Sequence, residues 1–152
     1  MDKKRVFGQK EPGAHYVSRV GAYVVIPNEQ QQLILVQAPN GAYFLPGGEI
    51  EADETKEETV RRELVEEVGI KGEIACYLGE AVDYFYSRHR DTYYYHPAYF
   101  YLMTKWQKIG EPTEAGNQLS WHTPEEAIRL LKRGSHSWAV KQWLKQKDNG
   151  LA

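Results

Sequence analysis

The sequence predicts an α/β chain in which a mixed β-sheet is covered by helices on two faces. Two observations lead there. The elements run in the order strands, helix, strands, helices, and one late stretch, Thr92 to Lys105, is apolar on both faces. A strand buried on both sides lies centrally in a sheet that helices cover. The length of 152 residues suits one ordinary domain, burying roughly 70% of its unfolded surface, so a single domain over residues 1–152 is expected. Apolar residues at 41% and charged residues at 26% are globular proportions, and the formal net charge is −2. That balance argues against a nucleic-acid coat and against a polybasic membrane patch.

Residues 1–15 are polar, contain Pro12 and Gly13, and read as an arm or a short edge element. Tyr16 to Ile26 reads as a strand ending at Pro27-Asn28, and Gln32 to Gln37 as a second, joined to the first in a hairpin with a polar tip. Tyr43 to Pro46 form a short extended segment leading into Gly47-Gly48. Beyond Gly69, Glu73 to Tyr77 and Gly79 to Tyr86 suit extended chain, Ser87 to Asp91 a loop, and Thr92 to Lys105 the central strand. Pro97 inside it implies a bulge or a later start. Leu119 to His122 is a last strand. Thr123, Pro124 and Glu126 open a helix running to about Lys132, and Ser137 to about Lys147 close the chain as another. The single Cys76 has no intramolecular partner, which reads as a buried, inert thiol in a reducing compartment. No apolar run has signal or membrane-spanning length, so the expected location is cytoplasmic.

The stretch Gly48 to Ile70 carries the chemistry. Thr55 followed by Glu58 forms a capping box and Gly69 a stop, which predicts a helix from about Lys56 to Val68. With Glu63 at zero and 100° per residue, Glu66 falls at about −60° and Glu67 at about +40°. Three carboxylates share one arc. Val60, Leu64, Val65 and Val68 fill the adjoining arc as a core-facing stripe. Glu63 and Glu67, four residues apart, repel unless something positive lies between them, and a divalent cation supplies that relief.

The same stretch resembles a family signature. Gly48, Glu54, Arg62-Glu63-Leu64, Glu66-Glu67 and Gly69-Ile70 occupy the fixed positions of the Nudix box of MutT-type hydrolases. Leu45-Pro46-Gly47-Gly48 and Glu51 fit the usual approach to it. Asp53 stands where the family usually has Gly. The resemblance covers about residues 16–147 and implies the Nudix fold, an α/β/α sandwich with a mixed sheet. It implies that Glu66 and Glu67 are the principal ligands of Mg2+, or of Mn2+, and that Glu63 is a further ligand or a base acting through water. A backbone carbonyl of the Gly47-Gly48 pair joins them, and the Arg62–Glu54 ion pair braces loop against helix. The implied reaction is cleavage of a nucleoside diphosphate linked to another moiety: a nucleoside triphosphate, dinucleoside polyphosphate or nucleotide sugar. Its alternatives are a silent nucleotide-sensing domain and the removal of pyrophosphate from RNA 5′ ends, the latter asking for a basic surface.

Outside the box, family resemblance gives a further acid from a late loop, and of Glu111 and Glu114 the second is the better placed. Arg19 and the Arg88–Arg90 loop are candidates for holding substrate phosphates. Tyr84 to Tyr86 and Tyr93 to Tyr95 either stack a base or pack the sheet. Tyr86 lies 16 residues past Ile70, a spacing similar to that of a Tyr in diadenosine polyphosphate hydrolases. The expected partner is a small-molecule nucleotide, and Trp138 and Trp143 serve the core or a dimer, leaving monomer and homodimer both open.

Overall fold

Residues 5–149, described here in a computed structural model, are built on one long antiparallel pair. β7 (Ile70–Ser87) and β8 (Thr92–Lys108) run together from Ile70 opposite Lys108 to Ser87 opposite Thr92. Their turn falls in the predicted Ser87–Asp91 loop. On its other edge β8 pairs in parallel with β2 (Tyr16–Ser18) and β3 (Gly21–Val25), and β3 pairs antiparallel with β6 (Gly47–Glu49). β1 (Val6–Phe7) flanks β7, giving the order β1-β7-β8-β3-β6 with β2 beside β8. A second, antiparallel sheet places β4 (Leu33–Gln37) between β5 (Tyr43–Phe44) and β9 (Gln118–His122).

Strand alternation divides the core into two layers. Ala22, Val24, Tyr101 and Met103 face α1 (Lys56–Glu67), where Val60, Leu64 and Val68 meet them. Val25, Ala98, Phe100 and Leu102 face the opposite way. They pack with Ala127 of α2 (Pro124–Leu130) and with Ala139, Val140 and Trp143 of α3 (Gly134–Asp148). The result is the α/β/α sandwich, with β8 central and buried on both faces.

The helix beginnings follow their local chemistry. Thr55 Oγ1 accepts the Glu58 amide at 3.1 Å and the Glu58 carboxylate accepts the Thr55 amide at 2.8 Å. Thr123 and Glu126 repeat the arrangement at α2. Gly69, at φ +75°, sends its amide to the Leu64 carbonyl and ends α1.

Several expectations change. Tyr16 to Ile26 is two strands, broken at Arg19-Val20, and the expected hairpin does not form as a ladder. The turn is present, with the Asn28 amide bonded to Gln32, but β3 and β4 diverge into different sheets, β3 pairing with β8 and β6 and β4 with β5 and β9. Pro97 causes no bulge. The Val82 amide opposite it points away to Arg5, so the missing N–H of Pro97 faces the β2–β3 break. The register shifts fall on β7 instead, between Glu73 and Gly79. Val65 is 37% exposed and leaves the core stripe to Val60, Leu64 and Val68. α3 starts at Gly134, three residues before the expected Ser137, because Arg133 already has extended N-cap geometry. Within the N-terminal stretch expected as an arm or edge element, Val6–Phe7 forms an edge strand, and residues 1–4 lie outside the described ones.

Equilibrium denaturation should separate these contributions. Leu64→Ala is expected to cost about 2–5 kcal/mol and Thr55→Ala about 1 kcal/mol, while Val65→Ala stays within about 0.5 kcal/mol of the parent.

Candidate active site

α1 turns Arg62, Glu63, Glu66 and Glu67 toward the Gly47-Gly48 strand, and the loop after β8 returns Glu114 to the same place. Together with Glu51 and Thr113 they line a cleft of about 560 Å³. Carboxylate oxygens of Glu63, Glu66 and Glu114 lie within 4.8 Å of one another. The Glu114 amide donates to the Glu66 carbonyl at 2.9 Å, which fixes the loop to the end of α1. Glu111, the other loop acid, points elsewhere and pairs with Lys108 at 3.1 Å.

Arg62 holds the acids in place. Its Nε donates to Glu54 Oε2 at 2.5 Å and its Nη2 to Glu54 Oε1 at 3.0 Å, a two-pronged pair. Nη1 reaches Glu66 at 3.1 Å and Glu63 at 3.5 Å, and Nη2 also donates to the Glu49 carbonyl. Glu54 accepts further from Thr59 Oγ1 at 2.8 Å and from the Glu51 amide at 3.0 Å. The loop is thereby tied to the helix by the ion pair that the family resemblance implied. Asp53, beside it, adopts φ +71°, the left-handed conformation for which Gly is the easier residue.

Glycines bring the strand close. An added Cβ at Gly48 would stand 2.1 Å from Glu63 Oε2, and one at Gly47 would stand 2.6 Å from the Tyr23 Cα. Glu67 closes the cleft from behind, its Oε1 accepting the Gly47 amide at 2.9 Å.

Position sets charge. The Arg62 hydrogen bonds, then the Glu51 amide, hold Glu54 down to about 2. Burial pushes Glu63 up to about 7, opposed by Arg62 and reinforced by Glu66 and Glu114. Burial likewise pushes Glu67 up to about 8, opposed by the Gly47 amide. Oxygen-only donors, crowded enough to resist ionisation, fit a hard divalent cation.

On the other side of β6 lies a second cavity of about 210 Å³, lined by Arg19, Tyr23, Phe44, Glu49, Phe85, His96, Arg133 and His136. Arg19 donates to Glu49 at 2.5 Å and stands over Tyr94. His96 donates from Nδ1 to the Arg19 carbonyl at 2.7 Å, so its Nε2 accepts the Tyr23 hydroxyl at 3.2 Å. Arg133 sits 3.5 Å above the Phe85 ring centre. Phe44, Phe85 and Arg133 also wall a larger cavity of about 560 Å³ that includes Tyr86, Arg88, His89 and Lys132. The Tyr86 hydroxyl donates to Asp91. Thus the structure gathers Glu54, Arg62, Glu63, Glu66, Glu67, Gly47 and Glu114 at the acidic cleft. It sets Arg19 in the neighbouring cavity, and Tyr86 and Arg88 in the outer one. The remaining expected stackers form cross-strand pairs, Tyr84 with Tyr95 and Phe85 with Tyr94. Sequence reasoning missed Tyr23, Phe44, His96, Arg133 and His136. Placing the α3 start at Ser137 hid Arg133 and His136, and a better signal was Gly134 breaking the pattern between two helices.

Fold and site define a class: an α/β/α sandwich that presents helix-borne carboxylates beside a diglycine strand. The chain belongs to the Nudix (MutT-type) hydrolase family, whose NUDIX domain model matches residues 17–144. It is 32% identical over 109 residues to an 8-oxo-dGTP diphosphatase of Haemophilus influenzae, covering 68% of this chain and 74% of that protein. It is 44% identical over 63 residues to a MutT-like protein of Streptomyces ambofaciens, covering 41% of this chain and spanning only 40% of that protein's length. The crystal structure of a MutT protein from Methanosarcina mazei superposes with TM-score 0.68 at 21% identity, covering 89% of this chain and 99% of that one. Members of the family generally use divalent metals. Among the described residues no helix is long and apolar enough to cross a membrane.

Without metal, stability should depend on pH through Glu63 and Glu67. Between the ordinary carboxylate value of 4.5 and about 8 the folded protein binds more protons than the unfolded chain. Stability therefore falls as pH rises through that window. Glu54 acts oppositely, its contribution being lost as pH drops below about 4.5. Melting scans in chelator are expected to show a falling Tm from pH 5 to pH 8, a flatter profile for Glu67→Gln, and recovery at pH 8 on adding Mg2+ or Mn2+.

Proposed function

We propose that this protein is a divalent-metal-dependent pyrophosphohydrolase acting on a nucleoside diphosphate linked to another moiety. The observation that carries the reading is the convergence of Glu63, Glu66 and Glu114 oxygens within 4.8 Å at a cleft floored by Gly47-Gly48. Glu63, Glu66, Glu67 and Glu114, with the Gly47 carbonyl, would hold Mg2+ or Mn2+. The bound ion supplies neutralisation of phosphate charge and activation of water.

The chain's own residues do the rest. Arg62 divides its guanidinium between Glu54 and the cluster, which keeps crowded carboxylates in register without ordering them anew for each turnover. A cluster carboxylate takes the proton as water attacks one phosphorus and the anhydride P–O bond breaks. A nucleotide and a phosphorylated remainder leave. The strand lets the diphosphate approach closely, since at Gly48, where a Cβ would stand against Glu63, none projects into the cleft. Arg19, and Arg88 with Tyr86, bind the group attached to the diphosphate, in the two adjoining cavities on the other side of β6. The Haemophilus relative's name makes nucleoside triphosphates the first compounds to try.

Phosphate release, measured with coupled pyrophosphatase or phosphatase across nucleoside triphosphates, dinucleoside polyphosphates, ADP-ribose and nucleotide sugars, tests the assignment. Turnover should require divalent metal. Glu66→Gln and Glu67→Gln should each lower kcat by about 100-fold or more, the scale of removing one electrostatic stabiliser. Unchanged turnover in Glu67→Gln would sink the proposal.

A further inference from the structure

The network around Glu54 includes a hydroxyl that α1 does not need for its own structure. α1 buries Thr59, Val60 and Leu64, and Thr59, at 0% exposure, is the polar one of the three. Alanine is the better helix former at such a position, and an apolar side chain brings no hydrogen-bonding demand into the core. Thr59 Oγ1 lies 2.8 Å from Glu54 Oε1 and 3.2 Å from the Thr55 carbonyl. A hydroxyl has one hydrogen to give, and the nearer, charged acceptor takes it.

The other donors to Glu54 are the groups it is there to hold. Arg62 supplies Nε and Nη2, and the Glu51 amide belongs to the loop. Thr59 differs from both, because its side chain has a single stiff torsion and stands on a packed helix. The last torsion of a Glu side chain is broad, so the carboxylate plane is set by whatever donors meet it. Arg62 also has somewhere else to go. Its Nη1 already reaches Glu66 at 3.1 Å and Glu63 at 3.5 Å, and oxygens of those two residues lie with one of Glu114 within 4.8 Å. A guanidinium drawn further onto these oxygens competes with a cation for them.

We propose that Thr59 is a positioning residue that sets the cation affinity of the acidic cleft. By donating to Glu54 Oε1 it locks the Glu54–Arg62 pair and keeps the guanidinium from settling on Glu63 and Glu66. The inference rests on the metal-dependent reading above and adds to it a wholly buried residue that touches neither cation nor substrate. The competing role is core filling, in which the hydroxyl is satisfied by the Thr55 carbonyl, a common habit of Thr inside helices. The two roles rank substitutions in opposite order. Val copies the shape of Thr without the hydroxyl, whereas Ser keeps the hydroxyl and leaves a methyl-sized hole. Core filling makes Ser the harmful change, and positioning makes it Val.

Binding of Mn2+ to the substrate-free protein, followed by the paramagnetic resonance signal of the free ion, makes the test. Thr59→Val is expected to raise the Mn2+ Kd about tenfold, the low end of the range for losing a hydrogen bond that orients a metal site. Thr59→Ser should stay within threefold of wild type. The Mg2+ concentration giving half-maximal phosphate release should move in parallel with these constants. A Thr59→Val Kd within threefold of wild type, or a Thr59→Ser Kd raised as far as that of Thr59→Val, overturns the proposal. If Thr59→Val does not fold, Thr59→Ala, which also lacks the hydroxyl, is held to the same limits. If Mn2+ binds but no phosphoric anhydride is hydrolysed, the hydrolase reading fails and the dissociation constants still decide this one. A wild-type protein that binds no Mn2+ overturns both.

Discussion

The pairing of Gly47–Glu49 with Gly21–Tyr23 is the contact on which both candidate sites depend. Two backbones meet there with an acidic helix on one side and an aromatic cavity on the other. No side chain larger than hydrogen fits between β6 and its neighbours at either glycine. Moving the strand outward by the width of a methyl group would separate Glu63 from Gly48 and Glu67 from the Gly47 amide. It would also release Tyr23 from its packing against Gly47. The diglycine is thus a shared wall, and acidic cleft and aromatic cavity are its two faces.

Charge is distributed around that wall unevenly. One guanidinium serves Glu54, Glu63 and Glu66, and it saturates Glu54 first, through two short hydrogen bonds. Glu54 is consequently a permanent anion that acts as a structural post. Glu63 and Glu67, deeper and less well compensated, resist ionisation. The difference arises from geometry alone, since all are the same side chain. It leaves an attractive potential for a cation on the cleft side, where Arg62 does not reach every oxygen.

Much of this was legible in the residues. Thr55, Glu58 and Gly69 bound α1 to within a residue, because capping is local chemistry that tertiary packing did not override. The box placed Glu54, Arg62, Glu63, Glu66 and Glu67 together, and of the two loop acids Glu114 reaches the cleft while Glu111 pairs with Lys108. What was not legible depends on long-range partners. Tyr16 to Ile26 looks continuous until one knows that it runs beside a proline, and β3 and β4 look like a ladder until β4 is seen to pair with β5 and β9 instead. Phe44, His96, Arg133 and His136 come from separate parts of the chain and share no spacing. Their cavity exists only after the sheet, the loop before β6 and the start of α3 have met.

The break opposite Pro97 has an effect on proton placement. The Arg19 amide donates to the Tyr95 carbonyl, so in a continuing parallel ladder the next bond would run from the amide of residue 97 to the Arg19 carbonyl. Proline cannot make it, and that oxygen is taken instead by Nδ1 of His96. This choice fixes the tautomer of His96, which makes Nε2 an acceptor and turns the Tyr23 hydroxyl toward it. An absent backbone hydrogen in the central strand thereby sets the direction of a proton two side chains away, on the wall of the inner cavity.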